Sequence, residues 1–184
     1  MLGGTHGKIL HVDLTLGETH VEHPPEEFYR LLVGGRAVVA YLLLRDLAPR
    51  TEPFSPDNLL IFAPGIMQGT SFPGAGRHGV GGKSPLTGAL GSSEVGGWWG
   101  HEFKRAGYDG LVVTGTAETP VRLCIRDDEV RILPADDLWG LDTMDTLQAL
   151  ESAEGVRGRA LVIGPAGERR SHIAIIQTAS ASAS

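Results

Sequence analysis

Cysteine is almost absent from this sequence. Its 184 residues contain one, Cys124. A single thiol excludes an intramolecular disulfide framework, and it excludes a zinc or iron–sulfur site built only from cysteines of this sequence. The reducing cytoplasm is the simplest compartment for such a chain. Because Cys124 falls in a strand-like segment, we expect its thiol to pack in the core.

Long apolar runs and a basic charge excess are also missing. No stretch approaches the roughly 18–20 apolar residues of a membrane span, and the first residues lack the layout of a signal peptide. The formal net charge is −6, with 16 basic against 22 acidic residues, which argues against a nucleic-acid surface. The sequence therefore predicts a soluble cytoplasmic protein with no nucleic-acid or membrane partner.

Glycine, in contrast, is in excess. The chain has 26 glycines, about twice the usual share, and 15 of them fall between residues 65 and 115. They show no three-residue period, which excludes a collagen-like chain. Since glycine weakens helices and strands, the backbone in this window is predicted to turn sharply or to come close to another group.

The hydrophobic pattern predicts short helices and strands in mixed order. Hairpins are predicted over 8–22 and 121–133, helices over 26–32, 36–47, 93–106 and 142–153, and strands over 59–63, 110–115, 160–163 and 173–176. The order hairpin, helix, apolar strand and Gly/Pro stop occurs twice, which suggests an internal duplication. Residues 178–184 form a small-residue tail with nothing to bury.

Two glycine motifs resemble phosphate sites but lack the required context. Residues 74–79 match the pattern G-x-G-x-x-G, yet the dinucleotide site needs a helix opening inside the motif, and none is predicted there. Residues 82–84 resemble the end of a phosphate-binding loop, but Arg77 stands where its first glycine belongs. A nucleotide-binding module is therefore disfavoured.

Two interpretations of Arg77 stay open. Its guanidinium could grip a phosphate or a polar ring edge, or it could be an ordinary surface arginine. Residues 92–99 predict a small-residue entry into a helix, whose free amides attract anions. Glu94 would suit a phosphate there only through a divalent cation. Of Trp98 and Trp99, one is expected to pack in the core.

Other polar side chains carry weaker signals. The seven histidines lack the spacing of metal ligands. Ser84 and Thr87 lie outside any G-x-S-x-G elbow, so neither is expected to act as a nucleophile. Asp109 is predicted to form a turn rather than to act as a base.

Several segments together resemble the N-terminal domain of the aldehyde:ferredoxin oxidoreductase family of tungsten enzymes. Two of them are specific, namely Lys-Ser-Pro-Leu-Thr-Gly at 83–88 and Ala-Gly-Tyr-Asp-Gly at 106–110. The others run in order along the chain, at 7–14, 35–44, 54–59, 76–77, 96–100, 138–140 and 163–168.

The resemblance implies an α+β fold over residues 1–177, with two β-sheets related by a pseudo-two-fold and a few short helices. This saddle-like platform would carry a tungsten (or molybdenum) ion held by two pterin dithiolenes. By position, Arg77 would contact the pterin and Gly96 would line it. Glu94 would help to hold a magnesium ion that bridges the pterin phosphates. Ser182 stands where the family has an arginine, in a tail (178–184) expected to be unstructured.

The family reaction converts an aldehyde and water into a carboxylic acid. Its electrons pass to ferredoxin through a [4Fe–4S] cluster held by helical domains that follow this region. The resemblance implies no catalytic residue here, so the chain alone is expected to be catalytically incomplete. Its expected partners are those domains or a separate cluster-bearing subunit, ferredoxin, and a second copy in a homodimer. The alternative is a non-catalytic remnant or assembly subunit that pairs with a cluster-bearing partner.

Overall fold

The computed structural model describes residues 3–154 and 159–178. These residues form ten strands and five helices in mixed order. The strands are β1 Ile9–Asp13, β2 Glu18–Glu22, β3 Leu60–Pro64, β4 His78–Lys83, β5 Leu90–Val95, β6 Gly110–Thr114, β7 Val121–Arg126, β8 Glu129–Pro134, β9 Leu161–Val162 and β10 Gln177–Thr178. The helices are α1 Glu26–Leu32, α2 Gly35–Asp46, α3 Trp99–Arg105, α4 Thr143–Glu154 and α5 Pro165–Glu168. Within these ranges, no helix has both the length and the apolar character needed to cross a membrane.

A six-stranded sheet in the order β2-β1-β6-β3-β4-β5 organises the first 115 residues. Its neighbours are antiparallel except for β1 and β6, which are parallel. The pairs β7–β8 and β9–β10 form two smaller sheets. The predicted α+β fold with more than one sheet is confirmed. Hairpin, helix and strand also recur in the predicted order (β1–β2, α2, β3, then β7–β8, α4, β9), whereas the pseudo-two-fold itself stays a prediction.

The central strands β1, β6 and β3 of the six-stranded sheet are buried on both faces. One face packs against α1 and α2 through a cluster that includes Ile9, Leu42 and Ile61. The other face packs against α3 and the β7–β8 hairpin through a cluster that includes Leu10 and Phe62. Ile9 and Leu10 are adjacent on β1 and belong to opposite clusters, because side chains alternate between the two faces along a strand.

Glycines of β4 let α2 lie unusually close to the sheet. A Cβ on Gly81 would lie 2.5 Å from Cγ1 of Val39 on α2 and 2.8 Å from the carbonyl oxygen of Gly91 on β5. A Cβ on Gly79 would lie 2.9 Å from the backbone nitrogen of Arg36, in the first turn of α2. Part of the glycine excess between residues 65 and 115 therefore serves internal packing. The predicted close approach is confirmed at these positions, and the neighbour is α2.

Two predicted elements differ in the structure. Residues 93–98 were predicted as the start of a helix, but Leu90–Val95 form β5, and α3 begins only at Trp99. Pairing with β4 overrides the helical pattern there, and Gly97, at φ +93°, separates strand from helix. The last strand is Gln177–Thr178, not 173–176. Thr178 was therefore wrongly assigned to the tail, while 179–184, including Ser182, lie outside the described residues.

The first residues of the chain are held by a buried carboxylate. One oxygen of Asp109 accepts hydrogen bonds from the backbone N–H groups of His6 (2.8 Å), Gly7 (2.6 Å) and Lys8 (3.3 Å). Its other oxygen forms an ion pair with Lys104 of α3, and both side chains are almost fully buried. Asp109 thus acts structurally, as predicted, but by joining α3 to the start of β1 rather than by forming a turn.

We expect Gly81→Ala to destabilise the fold by about 1–3 kcal/mol, because its Cβ would overlap a stiff buried valine and a backbone oxygen. Gly76→Ala is the matched control, since a Cβ there meets nothing within 4 Å and its φ is not positive. Urea unfolding of both variants measures the difference. Equal stabilities would contradict the close packing of α2.

Asp109→Asn should cost about 3–5 kcal/mol, because it leaves the Lys104 ammonium buried without a counter-charge. The control is Asp128→Asn, which removes an exposed pair with Lys8 at 3.5 Å and should cost at most about 1 kcal/mol. Chemical denaturation followed by circular dichroism tests this. The account of Asp109 fails if both substitutions have the same small effect.

Candidate functional site

The three residues expected to bind the cofactor lie together at one end of the β4–β5 ladder. The last pair of this ladder is His78 with Val95, and Glu94 pairs with Gly79. Arg77 precedes His78 and Gly96 follows Val95, so these two occupy opposing positions just beyond the ladder. A Cβ on Gly96 would lie 3.9 Å from the carbonyl oxygen of Gly76, which shows how close the two segments come.

Arg77 is exposed, and within the described part of the chain it makes no hydrogen bond or ion pair. The loop before it is open, since a Cβ on Gly74 or on Gly76 would meet no atom within 4 Å. The guanidinium therefore stands beside a stretch of backbone that no side chain of the described residues covers. This is where glycine does leave room for another molecule.

A second arginine lies at this end of the ladder. Nη2 of Arg36 is 3.7 Å from Oε1 of Glu94, and both side chains are substantially exposed. Gly79 brings them together, because its missing side chain lets the first turn of α2 touch β4. Sequence analysis assigned no role to Arg36. The only available signal was its position directly after Gly34 and Gly35, in one of the segments that carry the resemblance.

The helix-entry argument for Glu94 is wrong. Glu94 lies within β5, and α3 begins five residues later, at Trp99. Free helix amides therefore do not supply positive charge beside Glu94, and the guanidinium of Arg36 does so instead. The expectation for the two tryptophans is confirmed: Trp99 stacks on Phe103 with ring centroids 4.9 Å apart, whereas Trp98 is half-exposed.

Behind Arg77 lie two buried polar side chains. His78 and Gln68 are each only 1% exposed. None of the polar atoms in these two side chains has a hydrogen-bond partner among the described residues. Burial lowers the pKa of His78 to about 4, so the imidazole is neutral at physiological pH. Sequence analysis missed this pair because nothing in a lone histidine and a lone glutamine signals that they will meet.

The remaining predicted polar residues do not gather into a second site. Across residues 3–154 and 159–178, no group of three or more His, Cys, Asp or Glu side chains is placed to hold a metal ion. Ser84 and Thr87 belong to a tight turn, in which the Ser84 hydroxyl accepts a hydrogen bond from the Thr87 N–H at 3.3 Å. Cys124 lies on β7 but is partly exposed, so the prediction of a core thiol is wrong in its degree of burial.

The family model of the aldehyde ferredoxin oxidoreductase N-terminal domain matches residues 9–184 of the chain. The chain belongs to this family. The aldehyde ferredoxin oxidoreductase N-terminal domain thus accounts for the whole six-stranded sheet and for the smaller sheets that follow it.

The proteins that this chain resembles are named for different activities. The chain is 42% identical over 166 residues to the tungsten-containing aldehyde ferredoxin oxidoreductase of Thermococcus kodakarensis, covering 90% of this chain and 27% of that protein. It is 31% identical to the WOR-like subunit of aliphatic sulfonate oxidoreductase from Pyrococcus furiosus, covering 94% and 30%. Among solved structures it resembles the active-site complex BamBC of benzoyl coenzyme A reductase, bound to 1,5-dienoyl-CoA. That match has a TM-score of 0.90 and 37% identity, and it covers 97% of this chain and 27% of that one.

The chain therefore spans less than a third of the length of these relatives. It corresponds to the N-terminal domain of the family, and the larger share of each relative has no counterpart in it.

The buried imidazole of His78 makes stability depend on pH. Its pKa is about 4 in the folded chain against an ordinary value of 6.5, so the unfolded chain binds the proton first as the pH falls. The free energy of unfolding should therefore decrease below pH 6.5 and lose about 3 kcal/mol by pH 4. In His78→Asn, which cannot titrate, this component should vanish. Urea unfolding at several pH values, compared between the two chains, measures it, and parallel curves would refute the burial argument.

Proposed function

We propose that this chain is the cofactor-binding part of a tungsten-dependent (or molybdenum-dependent) aldehyde oxidoreductase, and that a metal–bis-pterin lies against the end of the β4–β5 ladder. The observation that carries the proposal is the juxtaposition of Arg77, whose side chain has no partner among the described residues, with the open backbone of Gly76 and Gly96. The names of the tungsten-containing relatives support the identity of the metal.

The residues present fit such a group. A pterin cofactor is broad and carries phosphates, so it needs a flat surface without side chains and a planar cation with several donors. The flat surface is provided by the backbone of Gly74, Gly76 and Gly96. The planar cation is the exposed guanidinium of Arg77. Arg36 adds a further positive charge beside Glu94, so the carboxylate does not stand alone near the proposed phosphates.

The bound metal–pterin would supply the redox chemistry, and the residues of this chain would bind and orient it. Arg77 would donate hydrogen bonds to a phosphate or to the polar edge of the pterin. Glu94, with Arg36 as counter-charge, would offer a carboxylate to a magnesium ion between the phosphates. The buried sheet behind β4 would keep these groups in place. No residue of this chain is assigned a proton-transfer role.

The relatives are named for different substrates, which supports cofactor binding rather than substrate binding by this region. An aldehyde, an aliphatic sulfonate and a benzoyl coenzyme A appear in the names of proteins that match nearly the whole chain. Proteins named for such different substrates share this region. We therefore expect it to bind the cofactor rather than to select the substrate. Substrate selection, the [4Fe–4S] cluster and contact with ferredoxin would then belong to the remaining length.

Exposed apolar side chains fit contact with that remainder. Trp98 and Trp139 are each 53% exposed, and Ile173 and Ile175 still more. Exposed apolar groups mark an interaction surface where they form a contiguous patch, and we propose that these side chains contribute to one. Helical domains of the same polypeptide would cover them in an enzyme with one chain, and a cluster-bearing subunit would do so in a split enzyme or in a non-catalytic assembly partner. The alternative of a non-catalytic subunit predicts co-purification with that partner without any cofactor in this chain.

The proposal predicts that Arg77→Gln lowers the tungsten and pterin content of the assembled enzyme at least about tenfold, since a charge-assisted contact to a phosphate contributes about 1.5–3 kcal/mol. Metal analysis and pterin fluorescence after purification measure both contents. Arg30→Gln is the matched control, because Arg30 is an exposed arginine of α1 whose partner is Glu26 on the same helix.

The chain by itself should neither retain the metal–pterin nor oxidise aldehydes, because only part of the enzyme is present. Stoichiometric tungsten in the isolated chain, together with aldehyde-dependent dye reduction, would contradict this. An assembled enzyme that keeps its full cofactor content in Arg77→Gln would contradict the placement of the site.

A further inference from the structure

The loop that carries Arg77 is long, and it is weakly held beyond its first residues. It connects the end of β3 at Pro64 to the start of β4 at His78. Its start is anchored, since the N–H of Ile66 donates to the carbonyl of Val33 at 3.2 Å. From residue 69 onward its backbone hydrogen bonds are local: the N–H of Thr70 donates to the carbonyl of Met67 at 3.3 Å, and the N–H of Ala75 donates to that of Phe72 at 3.4 Å. Such a loop does not by itself hold a guanidinium in one position.

The two ends of the loop meet in the interior, on α3. A Cβ on Gly100 would lie 2.5 Å from Nε2 of Gln68 and 2.8 Å from Nδ1 of His78. Both nitrogens therefore surround the same point, and Gly100 is the residue type that leaves room for them. Gln68 lies near the start of the loop, and His78 follows its last residue, Arg77.

Leaving these side chains without partners would be costly. A buried polar atom without a hydrogen bond costs about 1–3 kcal/mol, and the amide of Gln68 and both ring nitrogens of His78 are buried without one among the described residues. The ring of His78 is fixed against Trp99, with centroids 5.0 Å apart. A small rotation of the flexible glutamine is therefore the least costly way to give a partner to two of these four atoms, Nε2 of Gln68 and Nδ1 of His78.

We infer that the side-chain amide of Gln68 donates a hydrogen bond to Nδ1 of His78, and that this buried contact closes the base of loop 69–77 and positions Arg77. The imidazole is then the neutral tautomer with its proton on Nε2. His78 and Gln68 act through Arg77 as positioning residues, without contact to the cofactor. The link to cofactor binding rests on the proposed function, whereas the hydrogen bond does not.

The tautomer of His78 in the full chain gives a direct test. A two-bond ¹H–¹⁵N NMR spectrum of histidine-labelled protein, prepared without cofactor, distinguishes the two neutral forms. We expect the proton on Nε2 and a shift of Nδ1 typical of a hydrogen-bond acceptor, which Gln68→Leu should abolish. A proton on Nδ1, or an Nδ1 signal unchanged in Gln68→Leu, would overturn the inference.

Amide hydrogen exchange of Thr70 and Ala75 tests the effect on the loop. Loss of one net hydrogen bond corresponds to about a fivefold change, so Gln68→Leu and His78→Leu should each accelerate exchange about fivefold or more. His78→Asn keeps an acceptor near the position of Nδ1 and should restore most of the protection. Equal acceleration by Asn and Leu would overturn the role of the hydrogen bond. If the leucine variants do not fold, the tautomer in the unmodified chain still decides.

Cofactor retention separates this inference from the proposed function. In the assembled enzyme, Gln68→Leu should lower the pterin content along with the protection of the loop. If the loop loses protection while the pterin content stays constant, the hydrogen bond is supported, and the role of Arg77 in cofactor binding is contradicted.

Discussion

The close approach of α2 to β4 is the constraint on which the candidate site depends. Side chains at Gly79 and Gly81 would collide with the first turn of α2 and with Val39. Because these positions are bare, the helix begins directly over the strand, and Arg36 reaches Glu94 on the next strand. Strand β4 begins directly after Arg77. The packing of α2 on β4 therefore places Arg36, Arg77 and Glu94 at the same end of the sheet.

The burial of the sheet explains why this arrangement can be rigid. Strands β1, β6 and β3 are covered on both faces, and the start of the chain is fixed to α3 through Asp109 and Lys104. The open backbone lies at the edge of this core, around Gly74, Gly76 and Gly96. A site built on buried strands, with its contact surface in the adjoining loop, combines fixed position with access.

Sequence patterns predicted the regular elements well where local and tertiary preferences agree. The hairpins, α1, α2 and α4 occur where their apolar spacing and turn residues placed them, with only small differences at their ends. Residues 93–98 failed because Leu90–Val95 pair with β4, and a cross-strand partner cannot be read from local spacing. The glycine excess was a less specific signal. It predicted a close approach of the backbone to another group, but it did not identify that group. At Gly81 the neighbour is Val39, whereas at Gly76 it is open space.

The positions of Arg77, Glu94 and Gly96 followed from resemblance rather than from pattern, and the ladder register explains why they lie together. The most direct measurement is an experimental structure of the assembled enzyme with its cofactor bound. We predict that a pterin phosphate or the polar edge of a pterin ring lies within hydrogen-bonding distance of the Arg77 guanidinium, with the ring system against the backbone of Gly76 and Gly96. A pterin bound away from the end of the β4–β5 ladder, with Arg77 facing solvent, would contradict the account.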